Sequence, residues 1–163
     1  MVAADLPLLH EWLQRSHVRK WWGEQRTLEQ VVEHYLPAIE GREPTDHYLV
    51  LLDGRPVGMV QTYLVSDYPD HAALMTIDDS STAGLDILIG EAELTGRGLG
   101  TAILERFVSD VVFAHAAITS CIADPDVTNV GSVRAFEKAG FRVVRTFVDP
   151  KDSQTRAVVR RDR

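Results

Sequence analysis

The chain reads as a mixed α/β fold, a central sheet flanked by helices in one domain spanning residues 1–163. Three observations predict it. Helix-period and strand-period stretches follow one another in a fixed order: two helices, a hairpin, then strand, helix, strand, helix and two strands. A glycine-rich loop, Leu94-Thr95-Gly96-Arg97-Gly98-Leu99-Gly100-Thr101, joins the apolar run from Gly84 to Glu91 to a helical pattern at Ile103-Leu104, Phe107-Val108 and Val111-Val112. At 163 residues, 45% of them hydrophobic, the chain is long enough to bury one real core and shows no internal repeat or interdomain linker.

Each element has its own signal. Leu6, Leu8-Leu9 and Trp12-Leu13 form a helical stripe after Asp5, with Pro7 tolerable in the first turn. Thr27-Leu28-Glu29-Gln30 is a capping box, opening a second helix through Val31-Val32 and Tyr35-Leu36 that Pro37 is expected to stop. Tyr48 to Leu52 and Val57 to Val65 read as strands joined at Asp53-Gly54-Arg55-Pro56. Ser66 to Ala83 reads as a long polar loop, and long loops in compact domains are often functional. The Gly84 strand and the helix after Gly98 follow, then a short strand from Ile118 to Ala123. A helix at Ser132 and strands near Phe141–Val148 and Thr155–Arg160 complete the chain.

A strand, a glycine loop and a helix gather backbone N–H groups at a helix N-terminus, where they hold an anion, usually a phosphate. Glycine admits close approach and the required dihedrals. Two familiar versions fit poorly. Leu99-Gly100-Thr101 lacks the lysine of a P-loop. The spacing G-x-G-x-G, past the middle of the chain, is not the dinucleotide fingerprint.

About 30 residues on, Asn129 to Phe141 reads as a helix ended by Gly140, then a strand. Loop and segment together resemble the GCN5-related N-acetyltransferases, whose phosphate loop has the form Q/R-x-x-G-x-G/A and whose later segment runs N-x-x-A-x-x-x-Y-E-K-x-G-F. Thr95 through Gly100 match the loop, with Thr95 in place of the usual Gln or Arg. Asn129 and Glu137-Lys138-Ala139-Gly140-Phe141 match the segment, with Phe136 where tyrosine is usual. Glu11-Trp12-Leu13, Arg15-Ser16-His17, Trp21-Trp22-Gly23, Gly58 through Tyr63, Gly84-Leu85-Asp86 and Asp124-Pro125 are similar to the aminoglycoside 6'-N-acetyltransferases. They are less closely similar to the lysine N-acyltransferases of siderophore synthesis. The resemblance runs from about Glu11 to Phe141 and thins between Ser66 and Ala83 and after Phe147.

It implies the GNAT acyl-CoA N-acyltransferase fold, acetyl-CoA as cofactor, and direct attack of an amine on the thioester. The amides of Gly96, Arg97, Gly98, Leu99, Gly100 and Thr101 suit the pyrophosphate of coenzyme A. A strand N–H near Ile87, Leu88 or Ile89 suits the thioester oxygen. Asn129 and Phe136 join the cofactor-binding set. Asp86 is the expected catalytic carboxylate, orienting the amine and taking its proton. Trp22, Gln61, Tyr63, Asp70 and Asp124 match substrate-binding positions, beside Asp86 itself. The structural alternatives are a hydrogen-bonded aspartate for Asp86, a turn aspartate for Asp124, and core packing for Trp22 and Tyr63. The tyrosine usual at position 136 is credited with protonating the leaving thiolate, and Phe136 cannot donate.

Charge agrees with a cationic small-molecule substrate. The net charge of -7 argues against nucleic acid. No Lys or Arg occurs between Arg55 and Arg97, while Asp67, Asp70, Asp78, Asp79, Asp86, Glu91 and Glu93 all do. Such a stretch attracts cations, or is simply a solvated acidic loop. An aspartate inside an apolar strand is costly without a task, which favours the former for Asp86. The single cysteine, Cys121, excludes an internal disulfide and reads as a buried strand residue. Six histidines show no metal-ligand spacing, so no metal is expected. The N-terminus lacks the regions of a signal peptide and no run spans a membrane, so a cytoplasmic enzyme, monomer or homodimer, is expected. The expected activity is acetylation of an aminoglycoside at its 6'-amine, conferring resistance. The alternatives are a lysine-derived siderophore precursor, a polyamine or a protein N-terminus as acceptor, or an inactive acyl-CoA-binding module marked by Phe136.

Overall fold

A computed structural model describes residues 1–23 and 26–163. They form two compact units, Met1–Thr62 with Asp86–Thr95, and Tyr63–Leu85 with Gly96–Arg163. The strands are β1 (Thr45–Leu52), β2 (Arg55–Leu64), β3 (Thr82–Ile89), β4 (Ser120–Ala123), β5 (Arg142–Val148) and β6 (Thr155–Asp162), hydrogen-bonded in the order β1-β2-β3-β4-β6-β5. β3 and β4 are parallel, whereas β4–β6 and β5–β6 are antiparallel, so the sheet is mixed as expected.

In the first unit, α1 (Leu6–Gln14) buries Leu6, Leu9, Trp12 and Leu13, the stripe its spacing predicts. α2 (Ser16–Trp22) follows and ends at Gly23 in the left-handed conformation. Its sequence signal is weak because among its residues only Val18 is buried. α3 (Leu28–Ile39) opens on the predicted capping box, Thr27 accepting from the Gln30 amide at 3.3 Å and Gln30 Oε1 from the Thr27 amide at 2.9 Å. Pro37 does not stop this helix but lies inside it. Pro37 forfeits its own hydrogen bond in the last turn, and the helix runs only two residues past it. The stop is a Schellman motif, with Gly41 at φ 72°, the Arg42 amide donating to Pro37 O at 2.8 Å and the Gly41 amide to Ala38 O at 2.9 Å. Asp53 and Gly54, at φ 50° and 76°, make the two-residue turn of the β1–β2 hairpin, the positive dihedrals matching a type I′ turn. The core gathers Leu6, Leu9, Trp12, Leu13, Val31 and Tyr35 from the helices with Met59 and Leu88 from the strands.

In the second unit, the stretch expected to be a loop contains α4 (Pro69–Met75). Pro69 is pre-set for a first helical turn, and Ala72 and Met75, three apart, are buried. They meet Val65, Ile122 and Val158. α5 (Leu99–Phe107) continues into a π-helical turn, Val108–Val112, whose wider winding still buries Val108 and Val112. α6 is Val130–Lys138. Among the described residues, no helix is long and apolar enough to cross a membrane.

Candidate active site

Asp86 follows buried Leu85 in β3 and is itself half-buried. Gln61 on the neighbouring β2 donates from Nε2 to Asp86 Oδ2 at 2.9 Å. The two residues that most resembled a catalytic carboxylate and a substrate-lining amide are thus brought together. Ile87, Leu88 and Ile89 finish β3 beyond Asp86, with Leu88 buried. β2 lies close to them because of Gly58: a Cβ there would fall 2.3 Å from the Leu88 carbonyl oxygen. The end of the strand is pinned. The Gly90 amide donates to Val57 O at 2.8 Å, Arg15 Nη1 donates to Gly90 O at 2.9 Å, and His17 Nε2 lies 3.0 Å from Ile89 O.

Trp22, also in this unit, packs half-buried against the helical core and donates from Nε1 to the Tyr35 hydroxyl at 3.1 Å. Glu91 belongs to the fold rather than to a pool of free carboxylates. Its Oε1 accepts from the buried Trp12 indole at 3.1 Å and its Oε2 from Arg15 at 2.5 Å. The Arg15 hydrogen bond, aided by that of Trp12, holds its carboxyl below the usual glutamate range, which unsuits it as a base.

The glycine loop follows a short turn, Ala92–Leu94, that Thr95 closes by donating from Oγ1 to Ala92 O at 2.7 Å. Gly96 and Gly98 have φ of 70° and 84°, a region L side chains rarely adopt. Apart from their chain neighbours, no heavy atom of the described residues lies within 4 Å of where either Cβ would be. Gly98 is the N-cap of α5, and Leu99, Gly100 and Thr101 form its first turn. First-turn N–H groups have no partner inside a helix, and a helix N-terminus carries a partial positive charge. Exposed Arg97 adds a cation between the two glycines. The loop fits a pyrophosphate group.

Asp124 sits just past β4, with 15% of its side chain exposed, and His71 of α4 brings Nε2 to 3.5 Å from Asp124 Oδ1. The helix that carries Asp70, exposed in its first turn, is therefore the helix that meets Asp124. Tyr63 is half-buried, its ring occupying the place of a Gly84 side chain, 2.4 Å from an ideal Cβ, and meeting Tyr68 edge-on at 5.0 Å. The glycine of the Gly84-Leu85-Asp86 motif makes room for Tyr63. Asn129 caps α6, its Oδ1 accepting from the Ser132 amide at 3.2 Å. Phe136 is 3% exposed and packs edge-on against Phe141 at 5.1 Å between centroids.

The sequence reading did not single out two residues at these sites. His71 stands beside Asp124, and His47 meets Tyr35 edge-on at 5.3 Å, its Nδ1 buried without a hydrogen-bond partner among the described residues. Neither carries a local motif. Asp79, from the acidic stretch, is likewise structural, accepting from Ser81 and from Thr82 Oγ1 at 2.8 Å.

A mixed sheet carrying a glycine-loop helix N-terminus and an amide-held aspartate in its central strand defines an acetyltransferase of the GNAT class. Residues 1–148 match the acetyltransferase (GNAT) domain, and the chain belongs to that family. It is 35% identical over 153 residues to an aminoglycoside N(6')-acetyltransferase type 1 of Klebsiella pneumoniae, across 92% of this chain and 75% of that protein. The crystal structure of aminoglycoside acetyltransferase AAC(6')-Ib in complex with coenzyme A superposes with a TM-score of 0.88 at 32% identity, covering 100% of this chain and 92% of the other. The same enzyme with coenzyme A and kanamycin gives 0.88 at 31% identity and the same coverage.

Proposed function

We propose that this protein transfers the acetyl group of acetyl-CoA to the 6'-amine of an aminoglycoside. The likeness along nearly the whole chain to enzymes of that name carries the reading. The Gln61–Asp86 contact supports it from within, since it fixes one oxygen of an aspartate set in an apolar strand. Acetyl-CoA supplies the activated acyl carbon. The Gly96 to Thr101 amides hold its pyrophosphate, and a backbone N–H of residues 87–89 donates to the thioester oxygen as negative charge builds there. Asp86 orients the ammonium form of the acceptor, takes its proton and leaves a neutral nucleophile. Asp124 and Asp70 attract the remaining positive charges of the sugar, and Trp22 and Tyr63 offer it flat faces. Phe136 has no proton to give the departing thiolate, which takes one from another donor such as water or a tyrosine, or leaves unassisted. No covalent enzyme intermediate is needed, because holding both reactants in place supplies much of the rate advantage. We read residues 1–163 as one catalytic domain working in the cytoplasm as monomer or homodimer.

The test is release of free thiol from acetyl-CoA across an amine panel. Kanamycin, with its 6'-amine, should be acetylated, and analogues carrying a 6'-hydroxyl should not. Release with lysine derivatives and with no aminoglycoside would overturn the reading in favour of a siderophore-type acyltransferase.

A further inference from the structure

We propose that His71 is a specificity-determining residue of the acceptor site, its imidazolium competing with an ammonium group of the acceptor for Asp124. His71 Nε2 lies 3.5 Å from Asp124 Oδ1, the length of a charge contact rather than of a strong hydrogen bond. Such a contact acts through charge, and imidazole is the side chain whose ordinary titration falls between pH 5 and 8. Asp124 has 15% of its side chain exposed and His71 31%. A carboxylate so far withdrawn from water is costly without a counter-charge. In the free protein the protonated ring supplies one. A polycationic acceptor brings another, and the ring must then give up the place or its proton.

The helix that carries the ring is placed for this. α4 is anchored through Ala72 and Met75 in a cluster with Val65, Ile122 and Val158, on which Tyr63 and Phe147 also pack. Of these only Tyr63 titrates, and a phenol is neutral where an imidazole changes charge. Tyr68, the N-cap residue of α4, meets Tyr63 edge-on, so α4 touches both Tyr63 and Asp124. Exposed Asp70 precedes His71 on the helix, and exposed Asp67 lies in the turn before it. Both favour the charged ring. Arg145 of β5, bonded to Thr76 Oγ1 at the C-cap, opposes it from the other end of the helix. An acceptor whose charge reaches Asp124 is therefore held better once His71 is neutral, and an acceptor without that charge gains nothing.

This inference rests on the reading of Asp124 as a subsite for acceptor charge, and the experiment separates the two. KM for kanamycin and kcat are measured in the full chain at saturating acetyl-CoA for the wild type, His71→Gln, Asp124→Asn and the double variant. The range runs from about pH 5.5 to 8.5, the span in which an imidazole changes charge. Comparison at each pH cancels the titration of kanamycin's own amines. At the acid end the wild-type KM should exceed that of His71→Gln by about two- to fivefold, the scale of a partly exposed ion pair. At the alkaline end the two should coincide. The difference should fall on KM and not on kcat, since saturating substrate has already displaced the ring. In an Asp124→Asn background His71→Gln should change nothing at any pH. The titration midpoint of His71, read by NMR without acetyl-CoA, should fall in Asp124→Asn and on saturation with kanamycin, because cation binding and proton release are linked. A ratio of wild-type to His71→Gln KM that does not vary with pH, one that persists in Asp124→Asn, or a midpoint unmoved by kanamycin overturns the role of His71. A kanamycin KM that Asp124→Asn leaves as in the wild type at the alkaline end overturns instead the reading of Asp124. Should His71→Gln fail to fold, His71→Asn carries the same comparison, and the wild-type titration with kanamycin needs no variant.

Discussion

The indole of Trp12 occupies the space that a side chain on Gly90 would need: an ideal Cβ there falls 2.3 Å from two of the ring carbons. Trp12 is fully buried and its Nε1 is bonded to Glu91, so it has nowhere to retreat. The glycine that ends β3 is a seat for the largest side chain of the α1 core.

Gly90→Ala should therefore destabilise the protein by about 1–3 kcal/mol, the usual range for an overpacked core. At this chain length each kcal/mol lowers Tm by roughly 2–4 °C. Thermal melting without ligand measures it, and a variant melting with the wild type would show that α1 yields without strain.

Acetyl-CoA should raise Tm by mass action, since binding to the native state alone adds RT ln(1 + [L]/Kd). Gly98→Val should abolish that rise. Its side chain finds open space but sits on a φ of 84°, so about 1–2 kcal/mol of strain is expected at the α5 N-cap. The ligand-free protein should still melt cooperatively. An unchanged acetyl-CoA shift would remove the loop from the pyrophosphate site.

Asp86→Asn should lower kcat by about 10²–10⁴-fold, the range for a lost general base. Gln61 Nε2 would then face an amide, and one rotation lets it bond the remaining oxygen, so stability should change little. Asp124→Asn should act on KM for the aminoglycoside instead, because the role proposed for Asp124 is to meet substrate charge and not the transferred proton. Steady-state kinetics with kanamycin separate the two, and equal kcat losses in both variants would contradict the division of roles.

Glu91 supplies a pH test of the fold. Its folded-state pKa lies below the ordinary 4.5, chiefly through the Arg15 hydrogen bond. The sign follows: below both values the folded and unfolded chains bind the same proton, and between them the unfolded chain binds more. The stabilisation is present above 4.5 and lost as pH falls through the folded-state value. Glu91→Gln should be less stable than the wild type near neutrality, with the gap closing in acid. Urea midpoints across that window check it, and a gap that widens in acid would reverse the assignment.

Much of the candidate site was legible because its signals are local. A helix N-cap, a pair of glycines at positive φ and an aspartate in an apolar run are set by neighbours within a turn or two. That is why Gly96, Gly98 and Asp86 stand out in the chain before any folding is considered, and why the α3 capping box appears where Thr27 and Gln30 predict it. The stop at Pro37 failed for the converse reason. A proline forbids one hydrogen bond, whereas a Schellman closure at Gly41 needs several residues to agree.

What only the tertiary structure decided is which side chains meet. Trp12 and Glu91 are 79 residues apart, Gln61 and Asp86 25. Glu91, one carboxylate among seven in an acidic stretch, becomes a structural anchor through that distant indole and Arg15. His71 gains its partner in the same way, beside Asp124. α4 emerges from a stretch that reads as loop, because seven residues hold too little periodicity to declare a helix alone. It is the burial of Ala72 and Met75 against Ile122 and Val158 that stabilises it. Local composition determines what each segment can form and which atoms it can offer. Packing determines which of those atoms are already spoken for, and so which carboxylates remain for chemistry.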